Sequence, residues 1–244
     1  MGKDQNISFL EWHLESGVDA LLEEKPQNIL TNIEKNVSLH NKTADTEARK
    51  KTEIIYPNID ECNSLRDLKE AIFKFDGCNI RKSAKNIVFG EGEVGSKLML
   101  IGEAPGVEED NSGKPFIGAA GKLLDKMLDS INIIRSETYI TNIIPWRPPG
   151  NRKPSLDEIE AFKPFIHKHI ELVKPLIIIL VGGTAASTIL ENDTGITKLR
   201  GKWYKFKNID VMPVYHPAYL LRQPSQKKQA WEDLLNIKKK IISL

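Results

Sequence analysis

Cysteine is almost missing from this chain: there are two in 244 residues, Cys62 and Cys78, with no paired spacing. That usage offers no disulfide framework and reads as a reduced, cytoplasmic protein. No apolar run is long enough to cross a membrane, and no basic-then-apolar signal segment opens the sequence. An excess of one charge is missing as well. Lys and Arg number 35 against 33 Asp and Glu, a formal net charge of +2, so no global basic field marks a nucleic-acid binder, although a basic face alone would serve a site-specific one. There is no P-loop sequence either, which weakens a reading as a nucleotide-binding α/β protein acting on small molecules.

What is present gathers around residues 97–124, KLMLIGEAPGVEEDNSGKPFIGAAGKLL. Leu98 to Ile101 form an apolar run too short for a helix and read as a strand covered on both faces. Gly102, Pro105 and Gly106 then let the backbone turn sharply and approach a ligand, with Glu103 and Ala104 held at the mouth of the crevice. The acidic patch Glu108-Glu109-Asp110, a loop carrying Phe116 between glycines, and a helix from Ala119 follow. Strand, polar turn, aromatic loop and helix suit a site at the carboxyl end of a strand in an α/β sheet.

Elsewhere, residues 1–25 read as an amphipathic helix carrying Phe9, Leu10, Trp12, Leu14, Val18, Leu21 and Leu22 at helical spacing. Residues 26–62 read as a polar linker, and 63–244 as the folded domain. Ser64 and Ser155 are helix N-caps, the second with Glu158 at capping-box spacing. Strands are expected at Thr138–Ile144, Leu176–Val181 and Val211–Tyr215, a basic, hairpin-like segment over Lys198–Lys207, and a last helix from Ser225. Strands alternate with helices, so the expected fold is a three-layer α/β/α arrangement around a mainly parallel sheet.

On that sheet Glu103, Asn142 and His216 each fall at or just past the carboxyl end of a strand. A carboxylate, an amide, an imidazole and the Phe116 ring could together hold a planar heterocycle: the ring stacks, the amide reads an edge, and the imidazole faces an oxygen that gains charge. Each also has a plainer reading, as turn former or core aromatic. His216 before Pro217 is the hardest to explain that way, because it lies in extended chain at the crevice.

GEAPGVEEDNSGKPFIGAAGKLLD, TNIIPWRPPGNRKPS and HPAYLLR, in this order and spacing, closely resemble the family 4 type of the uracil-DNA glycosylase superfamily, from about Phe75 to Leu244. The resemblance implies a domain that flips uracil out of DNA and hydrolyses its N-glycosidic bond in base excision repair, with uracil-containing DNA as partner and the chain acting as a monomer. Carried over residue by residue, it makes Phe116 the stacking platform, Asn142 the reader of the uracil edge, His216 the donor to the uracil O2 and Glu103 the polar group of the first motif. Gly102, Ala104, Pro105, Gly106 and Glu109 complete the uracil site, and Leu220 and Leu221 fall at the wedge that enters the duplex. Local positive charge at Arg147, Arg152, Arg200 and Arg222 is expected to meet DNA phosphates.

The chain departs from the family pattern in its metal site. Family 4 proteins typically bind a four-iron, four-sulfur cluster through four cysteines. Here the matching positions are Phe75, Cys78, Trp146 and Phe162. One thiolate cannot hold such a cluster, and Cys62 lies outside the resembling region. The expectation is a cluster-free enzyme without metal or organic cofactor. A second reading is a non-catalytic or uracil-trapping DNA-binding protein on the same fold. Trapping in the known branch depends on a basic, histidine-containing insertion after the second motif, and RPPGNRKPS has none.

Overall fold

A computed structural model describes residues 54–244; the predicted N-terminal helix and most of the linker lie outside them. Residues 54–62, read as linker, pack onto the domain instead. The Tyr56 ring stacks on Phe75 at 5.4 Å and Cys62 is buried. The polar stretch that precedes this segment carried the expected linker too far, past the apolar Ile54, Tyr56, Ile59 and Cys62.

Five strands form one sheet in the order β2-β1-β3-β5-β4: β1 (Leu98–Gly102), β2 (Thr138–Asn142), β3 (Ile177–Val181), β4 (Tyr204–Phe206) and β5 (Ile209–Val214). All pairings are parallel except β4 with β5, a hairpin that turns at residues 207–208; the expected hairpin-like segment Lys198–Lys207 supplies only its first arm and begins instead in the helical turn Ile196–Leu199. Glu91 forms an antiparallel bridge to Ile140 along the free side of β2. The helices are α1 (Leu65–Lys74), α2 (Val107–Ser112), α3 (Ala119–Ser130), α4 (Leu156–Val173), α5 (Gly183–Leu190), α6 (Ile196–Leu199), α7 (Pro217–Arg222) and α8 (Lys227–Ile242).

Strand side chains alternate between faces, and this divides the interior in two. Met99, Ile101, Ile178, Leu180 and Val211 join α1, α4 and α5 in one apolar cluster. Leu98, Leu100, Ile177, Ile179, Met212 and Val214 join α3, α7 and α8 in the other. The result is the three-layer sandwich that alternating strands and helices require. The caps hold as spaced: Ser64 Oγ accepts from Asp67 N–H at 3.2 Å. Ser155 Oγ and the Glu158 carboxylate close a capping box at 3.2 and 2.7 Å.

One polar pair is sunk in the first cluster. His169 Nε2 lies 2.8 Å from Tyr139 Oη, and its ring stacks on Phe89 at 4.4 Å. Burial pushes the imidazole down to about 3 and the phenol well up. A depressed histidine contributes stability that is complete above its unfolded value, near 6.5, and is lost as pH falls toward the folded value. Denaturant titrations should therefore show stability falling by up to about 1.4 kcal/mol per pH unit below about pH 6.5 from this group alone. His169→Gln should flatten that limb, and an unchanged acid slope would assign it to other groups.

Candidate active site at the carboxyl ends of the strands

The strand order reverses between β1 and β3, the place where open α/β sheets bind ligands. The register sets Gly102 beside Asn142 and Val181 beside Val214. Loops leaving β1, β2, β3 and β5 therefore surround one cavity of about 560 Å³, into which Glu103, Phe116, Asn142 and His216 all open. Three separate motifs of the sequence meet there, as their strand-end positions predicted.

Glu103 follows β1, and its Oε2 accepts the hydroxyl of Thr184 at the start of α5. The contact spans the reversal point and fixes the carboxylate at the cavity wall. In sequence Gly182-Gly183-Thr184 reads equally well as a helix start offering backbone N–H groups to a phosphate or as a tightly packed strand-to-helix turn; the contact of the Thr184 hydroxyl with Glu103 was not foreseen. Asn142, the last residue of β2, is buried. A Cβ at Gly102 would stand 2.6 Å from Phe116 Cζ and collide with Asn142 Oδ1, so the cavity floor requires glycine there.

His216 caps α7, with Pro217 in the first turn. Its Nδ1 accepts from Ala218 N–H at 3.1 Å. An accepting Nδ1 is unprotonated, so in the neutral ring the proton sits on Nε2. Desolvation, reinforced by Arg222 and opposed by Glu109, pushes the imidazole down to about 4. The ring is thus a neutral N–H donor throughout the neutral range. It lies beside Phe116, centroids 5.6 Å apart.

Phe116 adopts a left-handed backbone, φ 51°. Arg135 Nη2 donates to the Pro115 carbonyl at 2.7 Å and Nη1 to the Phe116 carbonyl at 3.1 Å. Glu91 and Asp125 pair with the same guanidinium at 3.0 and 2.7 Å. From the other side Glu109 Oε1 accepts from Ile117 and Gly118 N–H, both at 2.9 Å, and its Oε2 accepts from Gly106 N–H at 3.1 Å. The acidic patch read as loop is in fact the short helix α2, and it delivers this carboxylate.

The remaining predicted residues separate. Ala104, Pro105, Gly106 and Glu109 line the cavity, as do Arg152 and Arg222. Arg152 is held at the rim by a two-pronged pair with Glu158, at 2.8 and 2.6 Å. Arg147 is engaged with Asn151 at 2.6 Å and stands 3.7 Å from buried Asp110. Arg200 departs from its expected role: its guanidinium pairs with buried Asp233 and bonds the Gln229 carbonyl, outside the cavity lining. Leu220 departs too. It is 1% exposed, within the second core cluster, whereas Leu221 is 45% exposed. Adjacent helical positions point different ways, so of the pair only Leu221 presents apolar surface to solvent.

Gly90, Gly92 and Gly95 carry the spacing of a dinucleotide-binding fingerprint. That fingerprint follows a strand and opens a helix. Here the glycines precede β1, and a Cβ at Gly92 would meet the Thr138 carbonyl at 2.6 Å, so close backbone packing explains them.

The residues at the four cluster positions do not fit an iron-sulfur centre. Phe75, Trp146 and Phe162 are buried in one apolar cluster, with Cys78 packed against it. Phe75 meets Phe162 at 5.7 Å and Phe165 at 5.0 Å, ring to ring. Both cysteines are free thiols, and no group of three or more His, Cys, Asp or Glu suited to a metal occurs among the described residues. No described helix is long and apolar enough to cross a membrane.

Comparison with known proteins agrees with this geometry. Residues 89–235 match the model of the uracil DNA glycosylase superfamily. A type-4 uracil-DNA glycosylase of Sulfurisphaera tokodaii is 40% identical over 190 residues, covering 74% of this chain and 86% of that protein. One from Archaeoglobus fulgidus is 36% identical over 182 residues, covering 71% and 92%. One from Thermotoga maritima is 38% identical over 162 residues, covering 65% and 83%.

Proposed function

The chain belongs to the uracil-DNA glycosylase superfamily, and from that membership and the chemistry of the cavity we infer that it is a DNA-repair hydrolase that cleaves the N-glycosidic bond of uracil in DNA. The observation that carries the reading is the convergence of a ring, an amide and a neutral imidazole N–H donor on one cavity.

In the reaction the bond between C1′ and N1 breaks with its electron pair leaving on the base. A water oxygen bonds C1′ and gives up one of its two protons to solvent, and a proton taken up from solvent neutralises the departed uracil anion. Two charges therefore develop, positive on the sugar and negative on the base, and catalysis consists largely of stabilising both in a partly dry site. Phe116 stacks on the flipped uracil, and the Asn142 amide pairs with its donor and acceptor edge. His216 donates Nε2–H to the O2 oxygen as its charge grows. Glu103, oriented by Thr184, faces the sugar cation and the attacking water. Leu221 fills the gap left in the duplex, offsetting part of the few kcal/mol that flipping costs. Arg152 and Arg222 at the rim meet the flanking phosphates.

The enzyme works without an iron-sulfur cluster, as a cytoplasmic monomer. Packing of Phe75, Trp146 and Phe162 supports this reading, since these side chains supply by apolar contact the cohesion a cluster would otherwise give. Purified protein should carry no stoichiometric iron, no acid-labile sulfide and no visible charge-transfer absorption, and chelation should leave its melting temperature and activity unchanged. Stoichiometric iron would overturn this part.

The test of the activity is a labelled oligonucleotide with one uracil opposite guanine, incubated with the protein and cleaved with alkali. Strand scission at the uracil supports the enzyme. Tight binding without scission would leave a DNA-binding protein on a glycosylase fold.

A further inference from the structure

A left-handed backbone at a non-glycine residue is strained and persists only where its surroundings over-determine it. Phe116 is such a residue, and its surroundings are unusually explicit. Two consecutive carbonyls, of Pro115 and Phe116, are taken by the two terminal nitrogens of one guanidinium, Arg135. The two amides that follow, of Ile117 and Gly118, are taken by one carboxylate oxygen of Glu109. The peptide arch is thus held by a cation on its carbonyls and an anion on its amides. Beneath it Gly121 has no side chain, and a Cβ there would overlap the Phe116 carbonyl. Arg135 in turn is partly buried and fixed on both flanks by Glu91 and Asp125.

Arg135 opens a 3-10 turn (Arg135–Glu137) ahead of β2 and is not among the residues lining the cavity. Stability alone does not call for a two-pronged contact on exactly the residue whose ring faces the site; an arch with a right-handed residue would avoid the strain. We propose that Arg135 is a positioning residue for catalysis: by clamping the Pro115 and Phe116 carbonyls it holds Phe116 in the backbone conformation that turns its ring into the cavity. The proposal rests on the reading of Phe116 as the surface on which the flipped base stacks. Lysine cannot replace this arginine, because a single ammonium cannot bridge two carbonyls and two carboxylates in the fixed planar geometry of the guanidinium.

The test is a double-mutant cycle on the intact chain, read by single-turnover cleavage of a uracil-containing duplex. Arg135→Lys should lower the single-turnover rate about 10- to 100-fold, the penalty of a misplaced reacting group, while affinity for undamaged duplex stays within about twofold. In a Phe116→Ala background the same substitution should cost less than about twofold, because the group it positions is gone. Glu91→Gln, which loosens the guanidinium and an exposed pair with Lys114 but removes none of the arch's own hydrogen bonds, should move the rate in the same direction by a smaller factor. It also serves if Arg135→Lys does not fold. Full activity in Phe116→Ala would overturn the stacking reading itself. A loss in Phe116→Ala on which Arg135→Lys multiplies independently would leave that reading intact and overturn the positioning role. A fall in duplex affinity that accounts for the lost rate would also overturn it, making Arg135 a contributor to DNA binding.

Discussion

His216→Ala lowers the single-turnover rate of uracil release by about 10²–10³-fold, the usual cost of removing one preorganised donor to a developing anion. The size of the loss follows from the tautomer. Nδ1 is occupied as acceptor of Ala218 N–H, so Nε2 must carry the proton that the O2 oxygen needs. Because desolvation holds the imidazole down to about 4, the rate profile should show no step near pH 6.5, where an ordinary histidine titrates. The substitution also deletes a helix cap, worth about 1 kcal/mol. His216→Asn separates the two effects: an Asn oxygen restores the cap and the melting temperature, while its shorter side chain leaves the rate low. Recovery of the rate along with stability would show that the histidine acts through the loop alone.

Gly102→Ala is expected to cost about 10²-fold in kcat/KM, the scale of a displacement near 1 Å in a reacting group. The added methyl meets the Phe116 ring at 2.6 Å and the Asn142 carbonyl oxygen directly. Stacking surface and edge reader are therefore displaced together. Overpacking of this kind also costs about 1–3 kcal/mol of stability, which a melt measures separately. Affinity for undamaged DNA, which the proposed function assigns to the rim charges, should be unaffected. Activity retained within about threefold in a folded variant would mean that the base does not sit above Gly102.

The fold was legible because its strands are short apolar runs ended by glycine or polar residues, and Glu103, Asn142 and His216 could be placed on strand ends by counting. What escaped were roles played on backbone. Arg135 was one basic residue among many, and Glu109, expected in the uracil site, was not foreseen to hold the Ile117 and Gly118 amides. Their partners are known only once Phe116 is seen in a left-handed conformation. Leu220 and Leu221 could not be told apart by type, since which of two adjacent residues faces inward depends on the phase of a helix six residues long. Arg200 was misjudged for a related reason: positive charge near a site suggests a phosphate, and buried Asp233, 33 positions away, is its actual partner.

The two sides of the sheet carry a consequence of their own. Along β2 the Glu91 bridge to Ile140 satisfies backbone groups that would otherwise be free. At the opposite margin β4 is three residues long, its middle residue is Lys205, and Lys207 follows it. Short, lysine-bearing or covered margins give an incoming strand no template. The molecule that opens the carboxyl ends of its four parallel strands onto one cavity offers little free backbone along either flank for recruitment into fibrils or strand-swapped assemblies. Lys205→Val, which removes the charge at the middle of β4, is where that protection would first be lost.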